Sequence, residues 1–167
     1  VIIDSNLAVR GAGILANDYT AMTIYNSEIS FNNSESYGGA IDLELNSKAT
    51  ITKTIIHHNE ATLFGGGIYI WEGSNLNLFN VTLVDNISEL GSGISLLSNS
   101  NGLIINSILW NNGIDHIYID NSNLADDTEY CYQISTLNSY GETELSNKSC
   151  ESTSAPSGNY IPNTPIE

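Results

Sequence analysis

Residues 38–86 read GGAIDLELNSKATITKTIIHHNEATLFGGGIYIWEGSNLNLFNVTLVDN, and they contain one pattern twice. Gly38-Gly39-Ala40-Ile41 is followed eighteen residues later by Asn59, and Gly65-Gly66-Gly67-Ile68 eighteen residues later by Asn86. Two more copies lie on either side. Gly11-Ala12-Gly13-Ile14 leads to Asn32, and Gly91-Ser92-Gly93-Ile94 leads to Asn112. The isoleucines are spaced 27, 27 and 26 residues apart. A fixed period of this length marks a stacked repeat array, in which each unit buries its apolar face only against its neighbours.

Aligning the copies gives columns. Ile14, Ile41, Ile68 and Ile94 share one, and Ala16, Leu43, Ile70 and Leu96 share another two residues on. Period-two alternation puts both inside. A second strand carries Ile24, Ile51, Leu78 and Ile104, and a third carries Ile29, Ile56, Leu83 and Leu109. Each copy is therefore three short strands, and each strand stacks on its counterpart one copy away. This predicts an all-β fold, a right-handed single-stranded parallel β-helix of four to five coils with a period of 26–27 residues. Gly11, Gly38, Gly65 and Gly91 mark a tight turn three residues before each first strand. Asn32, Asn59, Asn86 and Asn112 are expected to form a ladder, each amide bonding the next coil at a buried corner.

Asn6, Ile3 and Val1 fall in the same columns, so the chain opens on the third strand of a coil. Upstream coils of the same chain, or another subunit in a head-to-tail array, are expected to cover that end. After Asn112 the period fails. Ile117 and Ile119 fit one more first strand, residues 120–127 a loop, and residues 128–135 a last strand. Residues 1–135 are thus read as the β-helix and residues 136–167 as an extension that caps it and ends in a tail.

The chain has 19 acidic and four basic residues, for a formal charge of −15. Nucleic acid, anionic membranes and acidic polysaccharides are disfavoured as partners. No apolar run is long enough to span a bilayer. Abundant Asn, Ser, Thr and Gly suit an extracellular or cell-surface β protein. A disulfide between Cys131 and Cys150, the only cysteines, fits that compartment, and two free thiols are the alternative.

The glycine turns, the strands ending in Asn and the segment Asn-Ser-Ile-Leu-Trp-Asn-Asn at 106–112 resemble bacterial surface proteins of the right-handed parallel β-helix group. The resemblance is to polymorphic outer-membrane-protein-type repeats and choice-of-anchor surface proteins. The later Tyr-Cys-Tyr-Gln-Ile at 130–134 is similar to a strand that often follows there. This implies a secreted or surface-anchored, often adhesive protein. Pectate lyases and polygalacturonases share the superfold, but none of their catalytic motifs is matched here.

On a solenoid, outward columns carry function because they repeat at every coil. Asp42 and Glu44 share the outward face of the first strand with Tyr69 and Trp71 one coil on, and Glu72 follows at the strand end. Aromatic faces beside carboxylates can stack on a sugar and bond its hydroxyls. The same pattern fits an ordinary solvated face, or one packed against a loop or a neighbouring chain. Two carboxylates two residues apart also suit an inverting glycosidase, with Asp42 and Glu44 as the catalytic pair. Alternation points His57 and His58 to opposite faces, which argues against one shared ion. Asp120, Asp126 and Asp127 crowd one loop; solvated acids are the leading reading and calcium the alternative. No other cofactor is expected. The leading function is a non-enzymatic module in adhesion, glycan contact or extracellular assembly, with glycan or a surface protein as partner. A polysaccharide-degrading enzyme is the alternative.

Overall fold

The computed structural model describes residues 1–120 and, beyond them, the backbone of four short strands, Glu129–Tyr132, Leu137–Asn138, Gly141–Glu142 and Ser149–Ser152. The chain winds through about four turns of a parallel solenoid. Its first wall stacks β3 (Ile14–Ala16), β7 (Ile41–Leu43), β11 (Ile68–Ile70), β14 (Ile94–Leu96) and β17 (Ile117–Ile119). Its second wall stacks β4 (Ala21–Tyr25), β8 (Lys48–Thr52), β12 (Asn75–Phe79) and β15 (Asn101–Ile105). The third stacks β1 (Ile2–Asp4), β5 (Glu28–Ser30), β9 (Ile55–His57), β13 (Thr82–Val84) and β16 (Ile108–Trp110).

The registers follow the sequence columns. Ile68 pairs Ile41 and Ile94, and Ile94 pairs Ile117. Ile51 pairs Ile24 and Leu78, and Ile29 pairs Ile3 and Ile56. These columns form one apolar core in which Ile29, Ile41, Ile51, Ile56, Ile68, Leu83 and Ile94 are wholly buried. Each such side chain contributes about 1.5–3 kcal/mol relative to an exposed one.

A fourth sheet, absent from the three-strand reading, lies between the third and first walls. It contains β2 (Leu7–Arg10), β6 (Asn33–Tyr37) and β10 (Glu60–Ala61), all parallel. Isolated bridges Glu60↔Ile87 and Phe64↔Leu90 carry the pairing one coil further. Its hydrophobic signal is faint because the buried positions hold small residues, Ser34, Ala61 and Ser88. Backbone pairing, not an apolar stripe, makes these segments extended.

The corners after the second and third walls are left-handed single residues, whereas the corner from the first wall to the second is a left-handed pair, as at Asp18 and Tyr19 or Leu45 and Asn46. Asn26, Lys53, Asn80 and Asn106 have φ of 48–56°, and Phe31, His58, Asp85 and Asn111 have φ of 51–55°. For a residue with a Cβ this costs roughly 1–2 kcal/mol, so the stack above and below must hold it in place. Glu129–Tyr132 (β18), expected as a last strand, pairs antiparallel with Ser149–Ser152. The boundary drawn at residue 135 lies outside the described residues.

Candidate functional site

The outward face of the first wall is covered at β7, β11 and β14, while Leu15 of β3 stays exposed. The residue before each turn glycine forms its own column, Arg10, Tyr37, Phe64 and Leu90, joined by parallel pairing. The glycine φ of 54–66° at 11, 38, 65 and 91 bends the chain sharply enough to lay this column over the face of β7 and β11. The Tyr37 ring stacks on Tyr69 with centroids 4.9 Å apart, and Phe64 leans on both. The Arg10 guanidinium sits 5.0 Å from the Tyr37 ring centre, its Nε lies 3.3 Å from Asp42 Oδ2, and its Nη2 pairs with Glu44 Oε1.

This corrects the open platform expected of Asp42, Glu44 and Tyr69, whose relative exposures are 0%, 2% and 5%. Alternation placed them outward correctly, but a second layer lies on top. Both Asp42 oxygens are buried without a hydrogen-bond partner, the Arg10 contact being an ion pair outside hydrogen-bond geometry. Burial pushes the Asp42 carboxyl up to about 7, against the opposing pull of Arg10. Burial foremost, then the Asp42 charge, holds the Tyr69 phenol well above its ordinary value. Chemically the cluster is a closed carboxylate–guanidinium–aromatic plug, with Arg10 as its partly exposed member.

Trp71 and Glu72 stand beyond the plug, on the corner leading into the second wall. Trp71 is half-buried and donates its indole N–H to Ser98 Oγ at 3.0 Å, while Glu72 is exposed. From there the second wall presents three in-register outward rows, Ala21, Lys48, Asn75 and Asn101, then Thr23, Thr50, Asn77 and Leu103, then Tyr25, Thr52, Phe79 and Ile105. Tyr25 is exposed, with the Lys53 ammonium 5.6 Å from its ring centre and 3.4 Å from its hydroxyl. Sequence columns contained this face, but polar and aromatic residues alternate on it without a motif.

The outer edge of the third wall holds a cluster that sequence reasoning dismissed. His57 and His58 do not point apart: their Nδ1 atoms are 2.9 Å from each other. Strand alternation stops at the corner, where φ of 53° at His58 swings its ring to the outer side. Glu28 Oε1 lies 3.0 Å from His57 Nε2, and Asp85 Oδ2 lies 3.8 Å from His58 Nε2.

The ladder is continuous. Asn6, Asn32, Asn59 and Asn86 each donate an amide hydrogen to Oδ1 of the next asparagine at 2.8–3.0 Å, ending on Asn112. The same Oδ1 atoms accept the backbone N–H of the preceding asparagine at 3.0–3.1 Å. Asn32, Asn59, Asn86 and Asn112 also donate to the carbonyls of Ile3, Ile29, Ile56 and Leu83. Among the described residues, no three His, Cys, Asp or Glu side chains form a metal-binding group. Asp126 and Asp127 of the calcium expectation, and the side chains of Cys131 and Cys150, lie outside the described residues. No helix of the described residues is long and apolar enough to cross a membrane.

Parallel coils, an internal asparagine ladder and outward columns define a β-solenoid. The sequence matches the family described as right handed beta helix region over residues 1–152, and the chain belongs to that family. No curated protein and no solved structure matches it.

Proposed function

We propose that this chain is a non-enzymatic module of an extracellular or cell-surface β-helix protein, and that it contacts neutral glycan through the open face of its second wall. The carrying observation is the adjacent pair of in-register rows there, with Thr23, Thr50 and Asn77 beside Tyr25 and Phe79. Aromatic rings next to hydroxyl and amide groups suit a sugar, which offers an apolar face and a rim of hydroxyls. Trp71 and Glu72 extend the surface at its entry corner. The formal charge of −15 favours uncharged glycans over acidic ones.

The non-enzymatic reading is supported by the burial of Asp42 and Glu44 under Arg10, which leaves a substrate no approach to the pair. The extracellular placement is supported by the register of Cys131 opposite Cys150. Directly opposed residues of antiparallel strands lie about 4.5–5.5 Å apart, inside the Cα range of a disulfide.

Binding to an array of neutral polysaccharides, measured for the parent and for Tyr25→Ala/Phe79→Ala, tests the proposal. Loss of binding with an unchanged melting temperature is expected. A double variant that still binds, or an array with no ligand, overturns it. Release of reducing sugar that Asp42→Asn abolishes would instead establish the hydrolase.

A further inference from the structure

The last outward row of the second wall runs between two polar rows. Tyr25, Thr52, Phe79 and Ile105 stand in register along the stack, and the first and third members are aromatic. On one side, two residues back along the same strands, stand Thr23, Thr50 and Asn77. On the other stand the exposed corner residues Asn26, Lys53, Asn80 and Asn106, with Asn106 donating to Asn80 Oδ1. Tyr25 is 58% exposed. The Lys53 ammonium lies 5.6 Å from its ring centre and 3.4 Å from its hydroxyl, which places the charge beyond the hydroxyl end and leaves the ring face free. The strands of this wall, β4, β8, β12 and β15, carry no Asp or Glu, although the chain holds 19 acidic residues.

The stack sets the spacing of the rings. Paired strands lie about 4.8 Å apart, and one strand, β8, separates Tyr25 from Phe79. The two side chains are therefore rooted about 10 Å apart along the stack axis.

We propose, resting on the glycan reading above, that the ligand is an extended β-1,4-linked chain of equatorial pyranoses, of the cellulose or chitin type, lying along the stack axis over this row. Such a chain is a flat ribbon with apolar C–H faces and polar groups along both edges. Successive sugars are turned over, so the same face recurs at every second sugar, over a length that matches the two-coil step between the rings. A row of rings flanked on both sides by hydroxyl and amide groups is the complement of that ribbon. One sugar stacks on Tyr25, the next lies over Thr52, the third stacks on Phe79, and the fourth reaches Ile105. Thr50 and Asn77 meet the hydroxyls of one edge, and Asn80 and Asn106 those of the other. An uncharged ribbon finds no carboxylate on these strands to desolvate. An α-1,4-linked chain coils and does not follow a straight row.

Calorimetric titration with cellohexaose, chitohexaose and maltohexaose tests this. One of the two β-linked chains is expected to bind and maltohexaose is not. The matching disaccharide should bind at least about tenfold more weakly, because it cannot reach both rings. The double variant Thr52→Phe/Phe79→Thr keeps two rings in the row but sets them one strand apart. With an unchanged melting temperature it should bind at least about tenfold more weakly than the parent. A folded double variant that binds as tightly as the parent overturns the proposal, and so does a disaccharide as tight as the hexasaccharide. Binding of maltohexaose in place of the β-linked chains also overturns it, while its loss in Tyr25→Ala/Phe79→Ala would leave the wider glycan reading standing. No binding to any neutral polysaccharide overturns both.

Discussion

The ring of Tyr37 lies on the ring of Tyr69, with centroids 4.9 Å apart and planes 18° from parallel. One ring belongs to the corner sheet and the other to the first wall, so this contact turns an outward strand face into an interior. A stacked aromatic pair is worth about 0.5–1.5 kcal/mol beyond the area it buries. Tyr37→Ala is expected to cost about 2–3 kcal/mol and to admit water to Asp42. Urea denaturation measures the loss, and an unchanged midpoint would show that the cover contributes nothing.

Asn59 receives two hydrogen bonds from Asn32 and donates to both Asn86 and the Ile29 carbonyl. Asn59→Ala strips the buried Asn32 backbone N–H of its acceptor and removes the side-chain donor to the Ile29 carbonyl, while Asn86 Oδ1 keeps only the backbone N–H of residue 59. With each such group costing about 1–3 kcal/mol, the loss should be about 3 kcal/mol or more. Asn6 is the exposed end of the same ladder, and its side chain bonds Asn32 alone among the described residues. Asn6→Ala should cost about 1 kcal/mol. Equal melting temperatures for the two variants would mean that burial does not set the strength of a rung.

Gly65 and Gly102 should respond oppositely to alanine. Gly65 has φ of +66°, and an added Cβ would lie 2.6 Å from the Ile68 carbonyl oxygen and 2.7 Å from the Tyr69 nitrogen. Backbone cannot yield as a side chain does, so Gly65→Ala is expected to lose about 2–4 kcal/mol. At Gly102 the nearest atom is the end of the Leu96 side chain at 3.0 Å, and Ala49 stands in the same column. Gly102→Ala should be neutral or stabilising by up to about 1 kcal/mol. Thermal unfolding of both variants decides.

Asp42 gives the chain a pH dependence of known sign. Its folded-state value, about 7, lies well above the ordinary carboxylate value of 3.8. The native chain therefore binds the proton more tightly than the unfolded one. The stabilisation is complete below about pH 4, falls as pH rises to about 7, and is absent above. Asp42→Asn does not titrate and keeps the Glu44–Arg10 pair. It should match the parent near pH 4 and melt several degrees higher at pH 8. A variant less stable than the parent at pH 8 would mean that the Arg10 attraction outweighs the burial of the charge.

The sequence by itself determined the stack. Its 27-residue columns of Ile and Leu specify which strands pair and in what register, because each strand meets its own counterpart one repeat away. The asparagine ladder was legible for the same reason. Only the tertiary structure decided how different columns meet across a corner. Arg10 reaches Asp42, Tyr37 covers Tyr69, and His58 turns back toward His57, each through a left-handed residue at or beside the contact. Periodicity reports which residues recur along the stack axis. Contacts around the coil depend on backbone angles at single corner residues, and the corner at 31, 58, 85 and 111 is occupied by Phe, His, Asp and Asn with nearly the same φ. Residue type there does not announce the turn; the hydrogen-bonded coils on either side impose it.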